Sequence, residues 1–126
     1  MDRLFVVAGA LSGFVGVAAG AFGAHALRSR VAPDLLSIWN TGAQYMLVHA
    51  LALVLVGTLA ARAATPSSAL TAAGWCFLAG IVLFSGSLYA LVLTGVRGLG
   101  AVTPVGGVAF LAGWATLAIA ALGAKR

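Results

Sequence analysis

The sequence predicts an all-α membrane protein, a four-transmembrane-helix bundle with a short interfacial segment between helices 1 and 2. Three observations carry that prediction. The composition does not suit water: 63% of the 126 residues are hydrophobic and 7% are charged, where an ordinary soluble domain carries about 25% charged residues. The mean hydropathy is +1.14. The charges are also spaced so that four uncharged runs lie between them, at residues 4–27, 35–61, 63–96 and 98–124. Each exceeds the ~20 residues that cross a bilayer as a helix. Finally, the runs lack the alternation of barrel strands, and only helices or closed barrels satisfy their backbone in lipid. A single domain over residues 1–126 follows, with no room for a separate soluble domain.

The first helix is predicted over residues 4–27. Arg3 before an apolar stretch and the later "AHA" imitate a secretory signal. The uncharged run of 24 residues is longer than a signal's apolar region of about 7–15, so the segment is read as a membrane helix. Its glycines, Gly9, Gly13, Gly16, Gly20 and Gly23, are spaced by alternating steps of four and three. That spacing holds all five on one helical stripe. Glycine seams let another backbone approach closely where lipid offers no hydrophobic gain. The stripe is therefore read as a helix–helix contact, within the bundle or between subunits.

Residues 28–40 form the first loop. Pro33 and Asp34 begin a short helical turn, with Leu35, Leu36 and Trp39 as its apolar side. Trp favours the membrane interface, so this segment is read as lying along the surface or continuing into helix 2. Helix 2 is predicted over 42–61. The second loop contains Pro66 as a breaker, with Ser67 or Ser68 as the N-cap of the next helix.

Helix 3 is predicted over 69–94. Cys76, Gly80, Leu83, Ser87 and Thr94 fall on one stripe, while Ser85 and Tyr89 share another face. After a short glycine-rich loop, Thr103 and Pro104 read as an N-cap with Pro at the first helical position. Helix 4 is predicted over 104–124, with a small-residue seam through Gly106 and Gly113.

The pI of 10.8 does not signal nucleic acid. It arises from seven basic residues against two acids, placed singly or in pairs at helix ends, near lipid headgroups. A nucleic-acid surface needs a clustered basic face. Arg3, Arg62, Lys125 and Arg126 lie on one side and Arg28, Arg30 and Arg97 on the other, a small bias toward cytoplasmic termini.

Alternating helices bring the end of helix 1, the start of helix 2, the end of helix 3 and the start of helix 4 to one side. His25, Asn40, Gln44, Tyr45, His49, Ser85, Ser87, Tyr89, Thr94 and Thr103 all fall in that half. The other half holds Ser12, Thr58, Thr71, Cys76, Thr116 and the indoles of Trp75 and Trp114. The pattern is a dry half and a polar cup. In the structural reading, preferred here, the cup residues hydrogen-bond between helices. In the functional reading, His25, Gln44, Tyr45, His49, Ser85, Ser87 and Tyr89 bind a small ligand, ion or lipid headgroup.

Two histidines raise a haem or metal reading. His25 lies about six residues shallower than His49, or about 9 Å at the helical rise, whereas axial ligands of one haem lie nearly level. A metal wants further ligands, and Cys76 is in the wrong half while Asp34 is in a loop. Neither a cofactor nor a metal is called for. Cys76, the single cysteine, reads as a small packing residue. The chain contains no nucleophile–base set, phosphate loop or cysteine pair, so no enzyme is read.

The stretches "GAFGAHAL" (20–27), "GAQYMLVHALAL" (42–53), "LFSGSLYALVLTG" (83–95) and "LGAVTPVGGVAFLAGW" (99–114) resemble the small membrane-protein family of unknown function 423, itself similar to the eukaryotic transmembrane protein 256 group. The resemblance spans nearly the whole chain. It implies a multi-pass bacterial inner (plasma) membrane protein of four helices and implies no activity. It also implies recurring polar positions at His25, Gln44, Tyr45, His49, Ser85, Ser87 and Tyr89. The function expected is that of a structural or accessory component surrounded by membrane lipids. It would act through its glycine seams, as a homo-oligomer or as a subunit of a larger membrane complex. The alternative is a small-molecule, ion or lipid binder or transporter.

Overall fold

The computed structural model describes residues 1–124. Lys125 and Arg126 of the charge comparison lie outside the described residues. Among the described residues, four helices are long and apolar enough to cross a membrane. They are α1 (Asp2–His25), α2 (Pro33–Arg62), α3 (Ser68–Thr94) and α4 (Thr103–Gly123). Short 3₁₀ turns at Leu27–Ser29 and Arg97–Ala101 shape the first and third loops. Of the two courses open to the segment before helix 2, it takes the second and is continuous with that helix. Pro33 occupies the first turn of α2, where its fixed φ favours a helix and its missing N–H costs nothing.

The helices run antiparallel in sequence order, α1 along α2, α2 along α3 and α3 along α4. α2 and α3 form the centre, while α1 and α4 leave most of their length facing outward. Residues placed by glycine make the close approaches. A Cβ on Gly9 would lie 2.8 Å from the Ala50 carbonyl oxygen, and one on Gly57 would lie 2.7 Å from that of Asp2. Gly16 faces the Leu47 side chain, and Gly23 leaves room for the Trp39 ring. The α1 stripe thus lies against α2 within one chain. Gly20 departs from the expected pattern, having nothing within 4 Å of its Cβ position. The contacts at Gly9, Gly16 and Gly23 recur every seven residues, so the seam touches α2 once every two turns. Gly13 touches only the Ala50 methyl, at 3.9 Å.

Trp39, near the first-loop end of α2, turns into the bundle. It is buried and its indole N–H donates to the Ala19 carbonyl at 2.7 Å. On the α3–α4 side, Gly80 accommodates the Phe110 ring and Gly113 the Phe77 ring, while Gly106 lies against the backbone of Leu83 and Phe84. That backbone belongs to a π turn at Ile81–Ser85, a widened turn that interrupts α3 where α4 begins.

Ser67 caps α3, accepting from the Leu70 N–H at 3.1 Å. Thr103 does not cap α4 as expected. The cap position is Val102, and the Thr103 hydroxyl pairs with Ser87 at 2.7 Å. An exposed ion pair between Asp34 and Arg97 at 3.0 Å joins the third loop to the start of α2. These two contacts place the first and third loops at the same end of the bundle.

Candidate functional site

A hydroxyl in lipid can be satisfied by its own helix, by bonding to a carbonyl one turn back. Thr41, Thr58, Thr94 and Thr116 do so, with bonds of 3.0, 2.8, 2.6 and 2.8 Å to Ser37, Val54, Ala90 and Ala112. These residues need no ligand. The remaining polar groups of the predicted cup divide into three sets.

The first set ties α3 to its neighbours. Ser85 is fully buried and donates to the Gly42 carbonyl at 2.7 Å. Tyr89 points its hydroxyl at the Met46 sulfur, 3.3 Å away. Ser87 bonds Thr103 and the Phe84 carbonyl. These three lock the first-and-third-loop end of the bundle, using up their hydrogen-bonding groups within it.

The second set is centred on His49, which is 4% exposed. Its Nε2 accepts from the Trp114 indole N–H at 3.0 Å. An indole nitrogen can only donate, so Nε2 carries no proton and the neutral ring holds its proton on Nδ1. That N–H donates to the Tyr45 carbonyl at 2.7 Å. Every polar atom of the imidazole therefore has a partner. The ring lies flat on Phe110, with centroids 3.5 Å apart and planes 10° apart. Phe77 and Trp114 enclose it further, at 5.7 and 5.8 Å.

This contact corrects the division into a polar and a dry half. Trp114, assigned to the opposite half, meets His49 directly. Phe77, the neighbour of Cys76, packs on the same imidazole. The reason is that α2 starts nine residues earlier than the 42–61 span assumed, so His49 stands near mid-height of the bundle. Trp114 and Phe110 were missed as site residues. The signal was available, because a Trp near the middle of an apolar span is out of place for a residue that favours the interfaces.

Of the third set, Gln44 lines one of the two hollows described below, and His25 and Asn40 line neither. His25, at the end of α1, is exposed, as are Asn40 and Gln44. His25 sits at the end of α1, whereas His49 is buried within α2. A haem iron at His49 would have to displace the Trp114 N–H from the lone pair it occupies.

Beside the His49 centre lies an open cleft between α2 and α4. One hollow, of about 450 Å³, is lined by Tyr45, His49, Phe84, Pro104, Gly107, Val108, Phe110, Leu111 and Trp114. A second, of about 530 Å³, runs along α2 past Gln44, Tyr45, Leu47, Val48 and His49. They meet at Tyr45 and His49 and open outward. Tyr45 is 45% exposed, its ring packed on Phe84 at 4.6 Å.

Comparison with known proteins places this arrangement. The family described as "Protein of unknown function (DUF423)" matches residues 19–107. The UPF0382 membrane protein YwdK of Bacillus subtilis is 46% identical over 120 residues, covering 95% of this chain and 97% of that protein. A UPF0382 membrane protein of Staphylococcus aureus is 45% identical over 118 residues, 94% of each chain. No solved structure matches.

Proposed function

The chain belongs to this DUF423 family of unknown function as a multi-pass bacterial membrane protein, and from that premise we propose that it is a structural or accessory component that works by assembly in the membrane and catalyses no reaction. The observation that carries this reading is the closed hydrogen bonding of His49. Among the described residues it is the one buried ionisable side chain; it donates to Tyr45 and accepts from Trp114, so it serves as a pin between α2 and α4. Ser85, Ser87 and Tyr89 are likewise committed to contacts inside the bundle. A general base or nucleophile needs an open atom facing a reacting group, and these side chains offer none.

The glycine contacts of α1 are spent on α2, so assembly uses the outward faces of α1 and α4. On α1 these carry Leu11, Phe14 and Val17, and on α4 Val108, Leu111 and Ile119. The test is native mass spectrometry of the protein released gently from its own membrane. The expected result is a discrete complex larger than one chain, either a homo-oligomer or a complex with a second membrane protein. A folded monomer released under every mild condition overturns the assembly reading.

A further inference from the structure

We propose that the outward face of α2 pairs with the same face of a second copy of this chain, the two helices running parallel and the two Gln44 amides bonded to each other. This names a partner for the assembly proposed above and rests on that reading, adding α2 to the outward faces of α1 and α4. Exposure along α2 follows a pattern. Gln44, Val48, Leu51, Leu55 and Thr58 are all exposed and succeed one another by steps of four, three, four and three. A mean step of 3.5 residues keeps one stripe of a helix against a like partner when the two supercoil left-handedly, the commoner crossing in membranes. The hollow of about 530 Å³ beside the stripe is lined by α2 residues alone, Gln44, Tyr45, Leu47, Val48 and His49. Among the described residues, no other helix lines it, so a partner helix can reach it.

The apolar positions of the stripe suit lipid as well as protein, and Gln44 decides between them. Gly13, at the middle of α1, meets the Ala50 methyl at 3.9 Å, which puts Ala50 at mid-height. Gln44 stands six residues away, about 9 Å at the helical rise, while the hydrocarbon half-thickness is about 15 Å. Among the described residues, its amide enters none of the side-chain hydrogen bonds that involve α2. A polar group left unpaired in hydrocarbon is costly. A primary amide both accepts and donates, so a full partner must do both at the same depth. A second copy inserted the same way supplies that by symmetry. A two-fold axis along the membrane normal sets like residues opposite each other, and two facing amides close a reciprocal pair of N–H···O bonds.

The rest of the seam agrees with this register. Each Gln44 enters the hole that Thr41, Gln44, Tyr45 and Val48 form on the facing helix, as a knob does in a parallel coiled coil. A single polar residue on an apolar seam also fixes register and partner number, and Val48, Leu51 and Leu55 continue the contact below it. Charges at the two ends do not oppose the pairing. Asp34 is held by Arg97 at 3.0 Å. Arg62, in the last turn of α2, is twelve residues or about 18 Å from Ala50, beyond the hydrocarbon, where water and salt screen it.

Disulfide trapping in native membranes tests the pairing, using the full chain with Cys76→Ala. Val48→Cys, Leu51→Cys and Leu55→Cys are made singly and oxidised with copper phenanthroline. Val82→Cys, on the exposed face of α3, reports chance collision. All these positions are exposed, so the substitutions leave the core of the bundle untouched. Each seam cysteine should trap a dimer of this chain at least five-fold more than Val82→Cys. Gln44→Leu, added to Leu51→Cys, should lower the trapped fraction at least three-fold, while Gln44→Asn, which keeps an amide, should retain most of it. Trapping no stronger than that of Val82→Cys overturns the proposal. So does trapping at only one of the three positions, which would mean antiparallel helices, and so does trapping that ignores Gln44→Leu, which would leave the amide to lipid or water. A cross-link to a different protein overturns it as well. Native mass spectrometry of the same membranes separates this failure from that of the assembly reading: a larger complex without seam trapping refutes the pairing alone, whereas a monomer refutes both.

Discussion

Replacing Gly106 by Ala tests how the fourth helix is held. A Cβ at this position would lie 2.8 Å from the Leu83 carbonyl carbon and from the Phe84 Cα, and closer still to the Phe84 nitrogen. Favourable carbon contacts lie at about 3.5–4.0 Å, so the two helices would have to part by roughly 1 Å. These are backbone atoms of the π turn and cannot rotate aside as a side chain would. Over-packing of this kind costs about 1–3 kcal/mol. Against it stands the better helix propensity of Ala, worth about 1 kcal/mol. The net expectation is a loss of up to about 2 kcal/mol. The separation would also strain the contacts further along the same seam, Gly80 with Phe110 and Gly113 with Phe77, and the 2.7 Å bond between Ser87 and Thr103. Gly20→Ala is the matched control, with the same propensity gain and nothing within 4 Å to meet. Unfolding of each variant by SDS in mixed micelles, followed by far-UV circular dichroism, measures the difference. If Gly106→Ala proves as stable as Gly20→Ala, the close backbone approach of α4 to α3 does not govern stability and the reasoning fails.

Two further outcomes follow from the same contacts. A double-mutant cycle of His49→Leu and Trp114→Phe, read by the same SDS unfolding, should show a coupling of about 0.6 kcal/mol and not more than about 1.7, the span of interhelical hydrogen bonds in membranes; zero coupling would mean that the imidazole does not pin α4. On the other flank, Gly9→Ala should destabilise more than Gly16→Ala in thermal unfolding in detergent, because Gly9 meets the Ala50 carbonyl and the Val54 nitrogen while Gly16 meets the movable end of Leu47; the reverse order would contradict this account of the α1 seam.

The number, length and class of the elements follow from the amino-acid order alone. Whether a segment can span lipid depends on its own apolar length and freedom from charge, so four uncharged runs sufficed to define four helices. The glycines of α1, α3 and α4 were legible as packing positions for a similar reason, since a missing side chain matters only where something comes close. Their partners were not legible. Gly20 belongs to the same stripe as Gly16 and Gly23 by spacing, yet only the course of α2 decides which of them it touches. Trp39 reads as an interfacial residue, and becomes a buried one because Gly23 opens a place for its ring and Ala19 accepts its N–H. The candidate site depended most on tertiary structure. His49, Tyr45 and Gln44 were visible as polar groups in an apolar run, but their fates diverge. His49 is satisfied by Trp114, 65 residues away in sequence, whereas the Tyr45 hydroxyl and Gln44 amide face outward from the same helix. Rotation about α2 turns Gln44, five residues from His49, about 140° away from it, whereas Tyr45, four residues away, shares the His49 face one turn nearer the first loop, where its ring packs on Phe84 and stays half-exposed.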